Sequence, residues 1–382
     1  MINVPKTVYA LIFISLAFNS TIFGTEIYLS NFLAFIIFFV SVLSLTPRQI
    51  YREQKYLYWL LTLILIILLN IDSLIGIKWI YIFLMYYGFQ LFFTFNNFKI
   101  ENVLITFSMG MLFGTIFSFQ FVDLSYFSGV LSSDSRGSIN ALGSTNSYAV
   151  LSAYATLIFF HYQSLSQNKY FQLFSLISLL ILITAQISTL SRGGFLTLIF
   201  GLAIYSYFKG TLVRNIIFFA TLSFIFLLTF SGYFDLDLIS IYNRYTFYED
   251  ATGTGRTVLW AEILSQMNSP LPFIFGNGAG SLDIYTSISD GLYYHSYESA
   301  HNTYLDIFYQ FGIIGLFLFI TFLCYTIINI NKVSNQNDRI ILLSLFLPTV
   351  LNMFFDSYYG ALQISAIYSL FFALYNRGYN AS

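Results

Sequence analysis

Charge is scarce in this sequence. Lys and Arg supply 16 residues and Asp and Glu 17 of 382, or 9% of the chain, where soluble domains carry about 25%. With 57% of positions hydrophobic, 45 Phe and 31 Tyr, and a mean hydropathy of +0.74, a water-soluble globule is excluded and most of the surface must meet lipid. Cysteine is nearly absent. Cys324 stands alone in an apolar run, so neither an intrachain disulfide nor a thiolate metal cluster can form, and redox chemistry finds no support. A repeat of solenoid length and a low-complexity tail are both missing. The net charge of −1 says nothing about partners, because in a membrane protein the side on which each charge lies is what matters.

Long apolar stretches take the place of charge. Crossing hydrocarbon as a helix takes about 17 to 25 apolar residues, since only helices and closed barrels satisfy every backbone group there. About twelve stretches approach that length, near 7–23, 28–46, 57–71, 76–95, 102–120, 147–163, 171–189, 195–208, 215–233, 303–327, 340–355 and 361–376. The first has no small-residue cleavage site and runs straight into another span, so it reads as a retained helix and not as a signal peptide. With the N-terminus inside, the only basic residues left outside are Lys78, Arg136, Arg192, Arg244 and Arg256, and the only acidic residues inside are Glu53, Glu101 and Asp338. That distribution obeys the positive-inside rule.

The expectation is an all-α polytopic membrane protein with three parts: membrane helices over 1–233, a large outer loop with short helices over 234–302, and further membrane helices over 303–382. Two outer segments, 121–146 and 234–302, are too long to be turns. The second contains Trp260, many tyrosines and an apolar helical run, which disorder would not favour, so it is the functional candidate.

On that outer side three basic residues are expected at helix N-termini, where cations are usually disfavoured. Ser191-Arg192-Gly193-Gly194 lies between the seventh and eighth spans, with Ser191 available as an N-cap. Gly253-Thr254-Gly255-Arg256 opens the run 257–267, in which Val258, Leu259, Ile263 and Leu264 give an apolar face. Ala300-His301-Asn302-Thr303 leads into the tenth span. A helix N-terminus carries about half a positive charge and free amide donors, and so favours anions. If the three ends converge, amides and guanidinium forks together form a site for a multiply charged anion such as a diphosphate, which arginine binds bidentately. The glycines would let backbone come close to the phosphates. Taken singly, each arginine is equally well explained by snorkelling to headgroups. His301 and His295 taken singly are explained as interface histidines, and His161, near the inner end of the sixth span, reads as structural.

Asp235-Leu236-Asp237 spells a metal-binding D-x-D pattern. Two carboxylates do not fill the six or more oxygen positions of a hard cation, so no metal site is expected there. The tyrosines between 284 and 309 are able to stack on sugar faces, but interfacial tyrosine is common in membrane proteins.

Four motifs in order, Ser191-Arg192-Gly193-Gly194, Gly253-Thr254-Gly255-Arg256 with Trp260, Gly276-Asn277-Gly278-Ala279-Gly280, and His301-Asn302-Thr303-Tyr304 with Gly312 and Gly315, resemble the O-antigen ligase and O-antigen polymerase superfamily. The resemblance covers about 190–320. It implies a membrane-embedded, GT-C-like glycosyltransferase that needs neither metal nor cofactor. The enzyme would sit in the bacterial inner membrane with its site on the periplasmic side. It also implies an undecaprenyl-diphosphate-linked oligosaccharide as donor and acceptor, with membrane lipids and a chain-length regulator as further partners and no nucleic acid.

By motif, the essential basic residues of the superfamily carry over to Arg192, Arg256 and His301, with Arg136, Arg244, Gly255 and Asn302 as accompanying substrate-binding candidates. The arginines suit stabilisation of a departing diphosphate, and His301 suits deprotonation of the attacking hydroxyl. Glu298 and Asp306 are reserve bases. The Arg-Gly-Gly turn paired with Gly-Thr-Gly-Arg and a nearby tryptophan is more similar to polymerases, which join repeat units, than to ligases, which transfer glycan to lipid A core. A rival of another class is a non-enzymatic exporter or flippase of the lipid-linked sugar. Such proteins keep ionisable groups near the bilayer midplane, whereas Asp72 and Asp356 of this chain fall near span ends.

Overall fold

Among the described residues, the stretches that are apolar for a span's length fold as helix. The protein is described by a computed structural model over residues 36, 76–95, 99–121, 145–189, 191–211, 215, 256–281, 284–287, 294–297, 299–357 and 362–376. Within these, the expected spans coincide to about a helical turn with α1 (Ile77–Phe95), α2 (Ile100–Phe121), α3 (Thr145–Leu165), α4 (Lys169–Ser188) and α5 (Arg192–Lys209). Two short helices follow, α6 (Arg256–Gln266) and α7 (Pro270–Phe275). After the strands β1 (Ile284–Ser287) and β2 (Tyr294–Tyr297) come α8 (Thr303–Asn331), α9 (Gln336–Asn352) and α10 (Leu362–Tyr375). The spans expected at 7–23, 28–46, 57–71 and 215–233 lie outside the described residues apart from Ile36 and Asn215. Helical segments over Ile100–Phe117, Lys169–Gln186 and Thr303–Asn331 are long and apolar enough to cross a membrane.

The described residues are all-α in class, as expected, with one small addition. The outer segment holds α6 and α7 but also an antiparallel ribbon, in which Ile284 to Ser287 pair with Tyr297 to Tyr294. Ile-Tyr-Thr-Ser and Tyr-His-Ser-Tyr are rich in β-branched and aromatic residues, and four residues are too few to sustain an isolated helix.

The described elements fall into two compact units. In the first, α3 packs against α2, α4 and α5, and α5 packs against α9. Almost every residue of α3 from Tyr148 to Phe159 is buried, and its Ala149, Ser152, Ala153, Ala155 and Thr156 let neighbouring helices approach closely. At Gly201 of α5 a Cβ would stand 2.3 Å from Leu157 Cδ1 and 2.9 Å from the Ser344 carbonyl oxygen. Polar pairs thread this core: Thr115 Oγ1 with Tyr148 Oη at 2.5 Å, and Tyr205 Oη with Ser164 Oγ at 2.9 Å. His161 is buried on α3, with Nδ1 3.3 Å from Tyr205 Oη and its ring edge-on to Tyr162.

In the second unit α1 packs on α10, and α8 contacts α6, α7 and α10. Asn376 ties three elements together: Gln90 Nε2 donates to its carbonyl (2.9 Å), Asn329 Nδ2 donates to its Oδ1 (2.9 Å), and its own Nδ2 donates to Thr326 Oγ1 (2.9 Å). The long helix α8 is broken within itself. Gly312 adopts φ 64 and ψ −167, a backbone state open mainly to glycine. Just before the break, the Tyr309 and Gln310 carbonyls accept the N–H groups of Asn277 (2.8 Å) and Gly278 (3.1 Å), and Gln310 Oε1 accepts that of Gly280 (2.8 Å). The Gly276–Gly280 loop is thus docked onto the interruption in α8. Trp79 Nε1 also donates to Gln310 Oε1 at 2.9 Å.

Candidate functional site

The second unit builds a turn around His301 from three directions. The first is α6, which Arg256 opens. Its Leu259 and Ile263, with Met267 just past its end, are spaced four residues apart and buried against Ala300, Phe308 and Tyr309. This stripe excludes Leu264, expected on the apolar face but 50% exposed, because one residue's rotation of about 100° carries it off the seam. Polar contacts clamp both ends of α6. One turn after Arg256, Trp260 Nε1 donates to the Ala300 carbonyl (2.8 Å), and at the far end Tyr309 Oη donates to Gln266 Oε1 (2.6 Å).

The second direction is α8 itself. Asn302 is its N-cap, and Asn302 Oδ1 accepts the N–H groups of Tyr304 (3.0 Å) and Leu305 (3.1 Å). The side-chain oxygen of this substrate-binding candidate is therefore engaged in starting the helix. Asp306, a reserve base, is fully buried in the first turn of α8, and its Oδ1 accepts the Ala300 N–H at 2.6 Å.

The third direction is the segment after α9. The Thr303 N–H donates to the carbonyls of Met353 (2.8 Å) and Asp356 (3.2 Å), and Thr303 Oγ1 also donates to the Asp356 carbonyl (2.8 Å). Ser357 Oγ donates to Asp306 Oδ2 and accepts from Ser299 Oγ (3.0 Å). Ser299 Oγ in turn accepts the His301 N–H at 3.2 Å. Enclosed by these contacts, His301 adopts φ 48, and it is the one non-glycine residue with positive φ among the described residues.

In the first unit, Arg192 is the first residue of α5, and Ser191 caps the helix by accepting the Gly194 N–H at 3.3 Å. The preceding turn is held by Gln186 Nε2 donating to the Gly194 carbonyl (2.7 Å) and Thr189 Oγ1 donating to the Gln186 carbonyl (2.6 Å). The two glycines after Arg192 have a packing reason. A Cβ on Gly194 would stand 2.3 Å from Ala149 Cβ, and one on Gly193 2.6 Å from Asn352 Oδ1.

Residues 177–320 match the family model described as O-antigen ligase. The match supports the likeness of this segment to the O-antigen ligase and polymerase superfamily. The chain matches no curated protein. With its apolar spans, it is an integral membrane protein, and the family that its 177–320 segment matches is one of glycosyltransferase-like enzymes. The matched segment includes Arg192, Arg256 and His301, each at the start of a described helix or one residue before its cap. Within the second unit α6 and the His301 turn are in contact through Trp260. The other candidates, Arg136, Arg244, Gly255 and Glu298, and the Asp235-Leu236-Asp237 pattern lie outside the described residues. Among the described residues no cluster of three or more His, Cys, Asp or Glu is placed to hold a metal ion.

Sequence reasoning did not find Ser299 and Ser357, which complete the His301 turn. Their contact joins positions 58 residues apart, and serines beside a span boundary carry no signal of such pairing.

Proposed function

We propose that this protein joins undecaprenyl-diphosphate-linked oligosaccharide repeat units into a surface polysaccharide, O-antigen or capsule, at the periplasmic face of the inner membrane. One observation carries the reading: the helix opened by Arg256 is tied through Trp260 to the carbonyl of Ala300, the residue immediately before His301. A cation proposed for the diphosphate and a base proposed for the acceptor thus belong to neighbouring backbone elements.

In the proposed reaction a sugar hydroxyl of the acceptor attacks the anomeric carbon of the donor. The new C–O bond forms as the bond to the diphosphate oxygen breaks, the hydroxyl proton passes to the His301 imidazole, and polyprenyl diphosphate leaves. Arg192 and Arg256, with the amides of their helix starts, stabilise the negative charge on the leaving group. No metal is required, because guanidinium groups supply the positive charge.

Purified protein given a synthetic lipid-diphosphate repeat unit should extend it in the presence of a chelator, and Arg256→Ala should lower the rate on the order of 10²-fold or more. Normal extension by that variant would refute the assigned role. A second reading, transfer of glycan to lipid A core, draws on the family description itself, which is that of a ligase. Lipid A core added beside the repeat unit separates the two, since a polymerase leaves it unlabelled.

A further inference from the structure

Asp306 has no exposed surface, and both of its carboxylate oxygens lead back to the backbone around His301. Oδ1 receives the Ala300 N–H directly, at 2.6 Å. Oδ2 receives the Ser357 hydroxyl, which accepts from the Ser299 hydroxyl, which accepts the His301 N–H. Each hydroxyl in this chain donates once and accepts once, so all donors run in one direction and end on the carboxylate. Two consecutive backbone N–H groups, those of Ala300 and His301, are therefore anchored to one side chain, one directly and one through a relay of two serines. On the opposite side of the same peptide, Trp260 Nε1 holds the Ala300 carbonyl at 2.8 Å.

This anchoring surrounds a residue in a left-handed backbone state, φ 48, which residues with a side chain adopt uncommonly. Such a conformation persists where the surroundings over-determine it. An ordinary N-cap would not require it. Asn302 caps α8 by itself, and the helix would start equally well if the residue before the cap were extended.

We infer that Asp306, acting through Ser357 and Ser299, is a positioning residue that fixes the direction from which His301 meets the acceptor hydroxyl. This rests on the proposed role of His301 as base. It gives Asp306 a part different from that of a reserve base: the carboxylate orients the imidazole-bearing residue and takes no proton from substrate. Ser357 becomes a determinant of activity although it lies outside the segment that matches the family, 177–320.

The test uses the full-length protein in detergent or nanodiscs with the synthetic lipid-diphosphate repeat unit. Asp306→Asn keeps an acceptor for the Ala300 N–H but presents an amide donor toward the Ser357 hydroxyl. It should lower kcat about 10- to 100-fold, the scale of a misplaced catalytic group, with KM for the lipid substrate unchanged and the pH profile of kcat keeping its shape. Ser357→Ala and Ser299→Ala should lower kcat to a similar degree, the pair Ser357→Ala with Asp306→Asn should cost no more than either alone, and Ser357→Thr should restore activity. If Asp306→Asn fails to fold, the serine variants carry the test by themselves.

Full activity of Ser357→Ala and Asp306→Asn, with His301→Ala inactive, would overturn the positioning role and leave the proposed function standing. Full activity of His301→Ala would overturn both. Loss of the acid limb of the pH profile in Asp306→Asn would make Asp306 the base and end the inference.

Discussion

Gly194 owes its identity to a neighbouring helix. The backbone of α3 lies so near that a Cβ would stand 2.8 Å from the Ala149 carbonyl carbon as well as 2.3 Å from its Cβ, and neither atom is able to rotate away. Gly193 faces the end of the Asn352 side chain, which is able to move. Gly194→Ala should therefore push α5 from α3, destabilising the protein by about 1–3 kcal/mol as overpacking does. Gly193→Ala should cost less and be relieved by Asn352→Ala. Thermal midpoints of the purified variants measure the difference, and equal midpoints would contradict it.

A second residue-scale expectation concerns Asp338, in the first turn of α9 and ahead of the apolar run 340–355. Burial, with the Glu101 carboxylate nearby, raises its pKa above the ordinary carboxylate range. The folded state then holds the proton more tightly than the unfolded chain. Stability is greatest below the unfolded pKa and falls as pH rises through the interval up to the folded pKa. Asp338→Asn should raise the thermal midpoint at neutral pH and leave it unchanged in acid. The helix-start positions of Arg192, Arg256 and His301 were legible at this scale because helix starts are signalled locally, by Ser191 before Arg192, by glycines before Arg256 and by Asn302 after His301. The relay from Ser299 to Asp306 was not, since it depends on a contact made only by folding.

Among the elements, α8 shows where sequence pattern stops. Its apolar run is continuous, so a single uninterrupted span was the natural expectation, and an isolated glycine in such a run is tolerated in a helix. The break follows from what Gly312 meets: a Cβ there would stand 2.2 Å from the Ile274 carbonyl oxygen, and one on Gly276 would stand 2.3 Å from that of Gln310. The two glycines are the two faces of one contact, which seats the end of α7 against α8. Both also have positive φ, so alanine at either carries a backbone penalty of more than about 1 kcal/mol before any clash. Gly312→Ala and Gly276→Ala should each expose the 270–281 segment to limited proteolysis, and the double variant should be no worse than the more damaging single one. Additive losses would mean that the glycines act separately. The β1–β2 ribbon was missed for another reason: Asp290-Gly291 lies between two runs rich in β-branched and aromatic residues, a hairpin pattern, but runs this short are overshadowed by the apolar spans on either side.

For the whole molecule, the charge distribution sets an orientation that is open to direct measurement. Placing basic residues inside would put the turn between α8 and α9 in the cytoplasm and the segment between α6 and α7 in the periplasm. The sequence contains a single cysteine, Cys324, so Cys324→Ser yields a chain without reactive thiols onto which one cysteine at a time is introduced. Ser269 and Ser334 are exposed in these two places, and the Ser269 side chain makes no capping hydrogen bond to α7, so its replacement removes no such contact. A membrane-impermeant maleimide added to intact spheroplasts should label Ser269→Cys and not Ser334→Cys, and permeabilisation should make both react. Labelling of both before permeabilisation, or of Ser334→Cys alone, would invert or abolish the orientation. It would then put the His301 turn on the side of the membrane where α6 and its arginine face the cytoplasm, and a periplasmic glycosyl transfer would lose its geometric basis.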